Sequence, residues 1–154
     1  MRRRRPEKRT ILPDTKYNDL SVAKFINYIM ESGKKGVAEK IFYSSMELVY
    51  KKTKTDGIKI FKKGIENTSP SVEVKSRRIG GATYQVPIEV PKKRAFYLAS
   101  LWIINASKNS SGKPMSEKLA SELIAAANGD GNAIKKKEDT HRMADANKAF
   151  AHFR

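Results

Sequence analysis

A change in hydrophobic period constrains the fold of this chain more than any other sequence feature. Apolar residues recur at helical spacing along most of the sequence, whereas residues 72–90 alternate with a period of two and contain Gly80-Gly81. The first pattern is typical of amphipathic helices, and the second is typical of a β-hairpin. We therefore predict an all-α (mainly α) protein of six helices in a single domain, with one protruding two-stranded β-ribbon between helices three and four.

Helix-boundary signals give approximate limits for the six helices. The first is expected to begin at Asn18 or Asp19 and to stop at Gly33. The others are expected near residues 37–50, 58–68, 92–108, 115–128 and 136–147. Their apolar stripes predict a core that includes Val37, Ile58 and Trp102, the last in the middle of the stripe of the fourth helix. We expect residues 1–16 to form an extended basic arm, and residues 17–154 to form the helical domain, with the ribbon at 72–90.

Two registers of the ribbon are possible, and they differ in which side chains lie opposite each other. A three-residue loop at 80–82 sets Val74 opposite Ile88, whereas a two-residue turn at Gly80-Gly81 sets Val74 opposite Pro87. Like side chains on directly opposed positions stabilise an antiparallel pair. Pairing of like side chains therefore favours the three-residue loop.

Positive charge is concentrated in blocks along the chain. The 154 residues include 32 Lys+Arg and 16 Asp+Glu, a formal net charge of +16. Residues 72–94 carry six basic and two acidic side chains, whereas residues 95–134 carry three of each. Basic blocks around a neutral section indicate a surface that binds a polyanion, with a core behind it.

Other classes of protein have little support in the sequence. No stretch approaches the ~20 apolar residues of a membrane span, and the basic N-terminus lacks the apolar region of a secretory signal. Cys is absent, and neither a P-loop nor a dinucleotide-binding motif occurs. His141 and His152 lack metal-ligand spacing. We therefore expect no enzyme activity, no cofactor, no metal, no small-molecule substrate and no membrane partner.

Two long segments resemble the bacterial-type small-subunit ribosomal protein seven family. They are residues 72–87, VEVKSRRIGGATYQVP, and residues 136–154, KKEDTHRMADANKAFAHFR. Residues 11–14, ILPD, and residues 33–35, GKK, resemble two further landmarks of that family. The resemblance implies six helices with an extended ribbon between the third and the fourth. It also implies a structural protein that binds the 3′ major domain of small-subunit ribosomal RNA and nucleates assembly of the subunit head.

The family also implies a location and a set of neighbours. Its members lie near the decoding region and the exit site, where they contact exit-site transfer RNA or messenger RNA and small-subunit ribosomal proteins nine and eleven. The expected location is the cytoplasm of a bacterium, or the stroma or matrix of an organelle if the gene is organellar. We expect no homo-oligomer.

The charge pattern and the resemblance together predict a set of RNA-binding residues in the arm, the loops, the ribbon and the C-terminal helix. Arg suits this role because its guanidinium binds phosphate bidentately. Two alternatives stay open: the ribbon folded back with its charges solvated, and an architectural or nucleoid DNA-binding protein. The predicted contacts are Arg2, Arg3, Arg4, Arg5, Lys8, Arg9, Lys34, Lys35, Lys75, Arg77, Arg78, Tyr84, Arg94, Lys113, Lys136, Lys137, Arg142 and Lys148.

Overall fold

The computed structural model describes residues 9–153. Within that range the chain forms six α-helices, one antiparallel two-stranded ribbon and a C-terminal 3₁₀ helix. The prediction of a mainly α protein with a ribbon between the third and fourth helices is confirmed. The elements are α1 Leu20–Ile29, α2 Lys35–Thr53, α3 Gly57–Thr68, β1 Val72–Ile79, β2 Ala82–Glu89, α4 Lys92–Asn109, α5 Met115–Ala127, α6 Asn132–Ala146 and the 3₁₀ helix Lys148–Phe153.

The described chain divides into two compact units, with the boundary between Glu39 and Lys40 inside α2. The first unit contains α1 and the first residues of α2. One side of α1 is fully or almost fully buried, at the helical spacing that the sequence predicts. Its buried residues are Val22, Phe25, Ile26 and Ile29.

The start of α1 is confirmed, and its predicted end is wrong. The Asp19 carboxylate accepts a hydrogen bond from the Ser21 N–H at 2.7 Å, which caps the first turn. The last turn closes where the Met30 N–H donates to the Ile26 carbonyl, so α1 ends at Ile29. Gly33 has a φ of 74° and belongs to the turn before α2, where glycine adopts this left-handed backbone without a Cβ clash.

In the second unit, α5 packs against both α3 and α4, and α4 also contacts α6. Phe42 and Phe61 meet edge to face, with ring centroids 5.4 Å apart and an interplanar angle of 87°. This geometry is favourable for aromatic quadrupoles. The largest fully buried side chains of this unit are Phe42, Val49, Phe61, Val86, Ile103, Ile104, Leu119 and Leu123.

Helix α4 buries most of its predicted apolar stripe, and its buried surface extends further to one side. The buried residues of the stripe are Ala95, Ala99, Ile103 and Ala106. Trp102 is partly exposed, whereas Ile104 and Ser107 are buried. Because α4 contacts three other helices, its buried surface is wider than one apolar stripe. The Ser107 hydroxyl donates to the Ile103 carbonyl at 2.8 Å, so this polar side chain is satisfied inside the core.

The predicted core positions of α2 and α3 also need correction. Val37 is 57% exposed, and Ile58 is only partly buried. Since Val37 lies in the first turn of α2, the buried stripe begins one residue later. That stripe consists of Ala38, Phe42, Met46 and Val49.

The last helix begins four residues earlier than predicted. The Glu122 carboxylate of α5 accepts a hydrogen bond from the Ala133 N–H at 2.8 Å and thus caps α6 from another helix. A carboxylate at a helix N-terminus also interacts favourably with the helix dipole. Because this cap lies eleven residues away along the chain, the local sequence pattern around Lys136 did not indicate it.

The predicted ribbon register is wrong. Ile79 pairs with Ala82 and Val74 with Pro87, so the turn consists of Gly80-Gly81 alone. The two glycines have φ values of 56° and 89°. Positive φ at both central residues is the type I′ turn, whose twist matches that of a hairpin. This turn geometry outweighs like-with-like pairing, because the ribbon also packs against α6 and the 3₁₀ helix and is not stabilised by its own pairs alone.

Candidate nucleic-acid interface

The predicted contacts in the first part of the chain lie partly outside the described residues. Arg2, Arg3, Arg4, Arg5 and Lys8 belong to residues 1–8, which the structure does not describe. In the first unit, Arg9, Lys34 and Lys35 are exposed. Lys35 lies 3.8 Å from the Glu39 carboxylate, an exposed i,i+4 pair that contributes little.

The register separates the three cations of β1. Lys75 and Arg77 share one face of the ribbon and Arg78 lies on the other, because side chains alternate along a strand. Lys75 is 3.3 Å from the Glu73 carboxylate. Arg77 and Arg78 are exposed and have no ion-pair partner within the part of the chain that the structure describes. The ribbon therefore presents a guanidinium on each face.

Tyr84 lies opposite Arg77 and anchors the ribbon to the C-terminal 3₁₀ helix. Its ring is partly buried and lies 5.3 Å from the ring of Phe150, at an angle of 55°. The predicted contact residue Tyr84 thus packs within the protein. Nothing local in the sequence relates Phe150 to a strand more than sixty residues earlier.

Arg94 is also engaged within the protein. Its Nε and Nη2 atoms donate to Oε2 of Glu73, both at 3.2 Å. The guanidinium lies over the Tyr97 ring, 5.3 Å from its centroid, which is within range of a cation–π interaction. Arg94 therefore connects the first turn of α4 to the base of β1.

The cations of α6 and the 3₁₀ helix lie next to the ribbon. Strand β1 contacts α6, and β2 contacts the 3₁₀ helix. Arg142 pairs with Asp139 at 3.2 Å with both side chains largely exposed, and Lys148 is exposed at the first residue of the 3₁₀ helix. Lys136, Asp139 and Arg142 line a groove of about 510 Å³ with Met143 and Ala146.

We define the cationic surface as those predicted contacts on these adjoining elements that are exposed and are not held by a buried or partly buried group of the protein. It leaves out Lys75, Arg94 and Lys137, because the first two are held by the Glu73 carboxylate and the third by the Asn67 carbonyl. Lys113 is exposed in the loop between α4 and α5 and is separate from it in sequence. The cationic surface consists of Arg77, Arg78, Lys136, Arg142 and Lys148.

Lys137 joins α6 to the end of α3. Its ammonium donates to the Asn67 carbonyl at 2.6 Å, in a partly buried position. The Asn67 amide in turn donates to the carbonyls of Ala126 and Ala127, both at 3.0 Å. These carbonyls end α5, so one lysine and one asparagine satisfy the C-terminal groups of two helices.

A second basic cleft, which the sequence did not single out, adjoins this junction. It has a volume of about 520 Å³ and includes Lys63 of α3 opposite Lys137 of α6. Lys63 is exposed. The Lys-rich stretch at 51–63 was the available signal, but it did not show which of its lysines face another helix.

We expect Lys137→Met to lower the free energy of unfolding by about 1–3 kcal/mol, because it leaves a partly buried carbonyl without its charged donor. Lys136→Met removes the same charge from an exposed position, where substitutions usually change stability by less than about 0.5 kcal/mol. Urea denaturation of the two variants measures the difference. Equal stability of the variants would contradict this role of Lys137.

None of the helices within residues 9–153 is both long enough and apolar enough to cross a membrane. Among the same residues, no three His, Cys, Asp or Glu side chains are grouped so as to hold a metal ion.

The fold and the cationic surface define a class of small, basic, mainly α-helical proteins with an arginine-bearing β-ribbon. The chain belongs to the family described as ribosomal protein S7p/S5e, whose model matches residues 1–148. The resemblance seen in the sequence is therefore confirmed. Since this is a family of ribosomal proteins and not of enzymes, the chain is not an enzyme.

Individual relatives match over almost their whole length. The small ribosomal subunit protein uS7 of Thermotoga maritima is 56% identical over 154 residues, which cover 100% of this chain and 99% of the relative. The proteins of the same name from Gemmatimonas aurantiaca and an Anaeromyxobacter species are 57% and 58% identical over 153 residues, covering 99% of this chain and 98% of each relative. These matches do not support the alternative of a DNA-binding architectural protein.

Proposed function

We propose that this chain is a structural constituent of the small ribosomal subunit that binds ribosomal RNA through its cationic surface. Family membership along almost the whole chain is the observation that carries the proposal. Its bacterial relatives support a location in the cytoplasmic ribosome. We further propose that the chain binds the 3′ major domain of this RNA. This binding nucleates assembly of the subunit head.

The arrangement of cations supports binding to structured RNA. Arg77 and Arg78 lie on opposite faces of the ribbon, while Arg142 and Lys148 lie on the elements beneath it. Cations on several non-equivalent elements suit the phosphates of more than one RNA strand. RNA helices are recognised mainly by shape and by backbone contacts. Affinity then comes from phosphate contacts, and specificity comes from the shape of the RNA fold.

The proposed binding partners near the decoding region are exit-site transfer RNA or messenger RNA and small-subunit ribosomal proteins nine and eleven. Residues 1–16 act as an RNA-binding arm, together with Lys34, Lys35 and Lys113. The exposed positions of Arg9 and of these three lysines support this part.

The test is binding of the full chain to a transcript of the 3′ major domain at 50 mM and 200 mM salt. Six to ten phosphate contacts would lower affinity by about 10³–10⁵ over this range. A duplex DNA of similar length is the competitor. Affinity that barely changes with salt, or an equal preference for the DNA, would contradict the proposal.

Arg77→Ala with Arg78→Ala is expected to weaken this RNA binding by about 1–3 kcal/mol for each charged hydrogen bond lost. Stability should not change, because both side chains are exposed. Lys51→Ala with Lys59→Ala is the matched control, since it removes two exposed cations from α2 and α3. Binding is measured by filter retention and stability by thermal denaturation. An equal loss of affinity in both double variants would show that only net charge matters.

A further inference from the structure

Glu73 is a buried carboxylate at the base of a ribbon whose proposed partner is a polyanion. It is 8% exposed, whereas residues 75–83 of the same ribbon are all exposed. A negative charge at this place opposes the approach of phosphates. Its position therefore calls for a role within the protein.

Both oxygens of the Glu73 carboxylate are occupied by cations. Oε2 accepts from Nε and Nη2 of Arg94 at 3.2 Å each, and Oε1 lies 3.3 Å from the Lys75 ammonium. Arg94 is the third residue of α4, and its guanidinium also contacts the Tyr97 ring. Glu73 thus ties the beginning of β1 to the first turn of α4.

A small rotation of the ribbon about the Glu73 contact moves the ribbon tip by the largest distance. A strand rises about 3.3 Å per residue, so the ribbon tip is roughly 20 Å from Glu73. A tilt of about 10° at the base would therefore move the tip by roughly 3–4 Å. A two-stranded ribbon is only marginally stable in water, so its direction depends on contacts with the rest of the protein. These include the Glu73 tie and the packing of Tyr84 against Phe150.

We infer that Glu73 is a positioning residue that holds the ribbon at a set angle to α4, so that Arg77 and Arg78 meet the RNA backbone in register. The inference rests on the proposed function and adds to it. A ribbon that is already oriented loses less conformational entropy on binding. Glu73 accordingly favours RNA binding despite its charge.

The direction in which RNA affinity changes when Glu73 is replaced separates this positioning role from a purely electrostatic one. If Glu73 only neutralised Arg94 and Lys75, its replacement would release two cations and strengthen RNA binding. If it positions the ribbon, the same replacement weakens binding although the net charge of the protein rises by one. Glu73→Gln therefore gives opposite results under the two descriptions.

The binding test compares the wild type, Glu73→Gln and Glu138→Gln on the 3′ major domain transcript. Glu138 is an exposed carboxylate of α6, so its replacement makes the same change of charge without touching the tie. We expect Glu73→Gln to weaken binding by about tenfold, since orientation is lost, and Glu138→Gln to leave it equal or slightly tighter. Binding by Glu73→Gln that equals or exceeds that of the wild type would overturn the inference.

A second measurement reports ribbon orientation without RNA. The sequence contains no cysteine, so Ile79→Cys and Lys108→Cys provide two unique sites for spin labels, one at the ribbon tip and one near the end of α4. We expect a narrow distance distribution in the protein with Glu73 and a broad one with Glu73→Gln. Arg94→Gln breaks the same tie from α4 and should broaden it as well.

An unchanged distribution in both variants would overturn the inference even if the protein binds no RNA. Failure of the wild type to bind RNA, together with broadening in the variants, would instead overturn the proposed function and leave the tie established. The measurements therefore distinguish a failure of the positioning role from a failure of the proposed RNA binding. Circular dichroism confirms that each labelled variant is folded before its distances are compared.

Discussion

Phe61→Ala is expected to lower the free energy of unfolding by about 3–5 kcal/mol, the usual cost of removing a large aromatic side chain from a core. Phe61 has no solvent exposure and packs edge to face against Phe42. Its removal leaves a cavity between α2 and α3 and also breaks the aromatic pair. Urea denaturation monitored by circular dichroism measures the loss.

Trp102→Ala is the comparison that makes this prediction specific. Trp102 is the larger residue, and its sequence pattern predicts that it is a core residue, but it is partly exposed in the structure. A partly exposed side chain loses less transfer free energy when truncated, and water can occupy the space that it leaves. We therefore expect a smaller loss than for Phe61→Ala. A larger loss for Trp102→Ala would show that the core lies elsewhere.

Gly57→Ala is expected to destabilise the protein by about 1–3 kcal/mol, in the range measured for overpacked cores. A Cβ at Gly57 would lie 2.9 Å from the Met46 carbonyl oxygen and 3.2 Å from its Cα. These are backbone atoms of α2, so they cannot rotate aside as the end of a side chain can. The start of α3 would have to move away from α2, and chemical denaturation would report the cost.

Gly36→Ala is the matched control for this substitution. Gly36 also lies near the start of a helix, but a Cβ there would meet no atom within 4 Å. The same change should therefore be neutral or should stabilise by about 0.4–1 kcal/mol through the entropy of the unfolded chain. Similar effects at both positions would contradict the close approach of α2 and α3.

The type and order of the elements could be predicted because hydrophobic period and capping residues are local signals. Asp19 precedes its helix and caps it with its own carboxylate, so the start of α1 was visible in the sequence. The start of α6 was not visible, because its cap comes from Glu122 on a different helix. Boundaries set by tertiary contacts leave no trace in the neighbouring residues.

The ribbon shows the same distinction in its register. The sequence contained the information for the turn, since Gly-Gly is a residue pair that a type I′ turn favours. The longer loop is favoured only if the ribbon is taken as isolated, because it then matches like side chains. In the structure Val86 and Pro87 are both buried although they lie on opposite faces. Coverage of both faces at the base removed the reason for that preference.

A mainly helical chain, one ribbon and an excess of positive charge around a neutral section all follow from residue type and spacing. These are local properties, so they do not depend on how the elements pack. The role of each cation, in contrast, depends on the tertiary structure. Arg94 and Lys137 meet a carboxylate and a helix end within the protein, whereas Arg77 and Arg78 remain exposed on opposite faces of the ribbon. A charged side chain can pair with a group that is distant in sequence, and the packing of the helices determines which group that is.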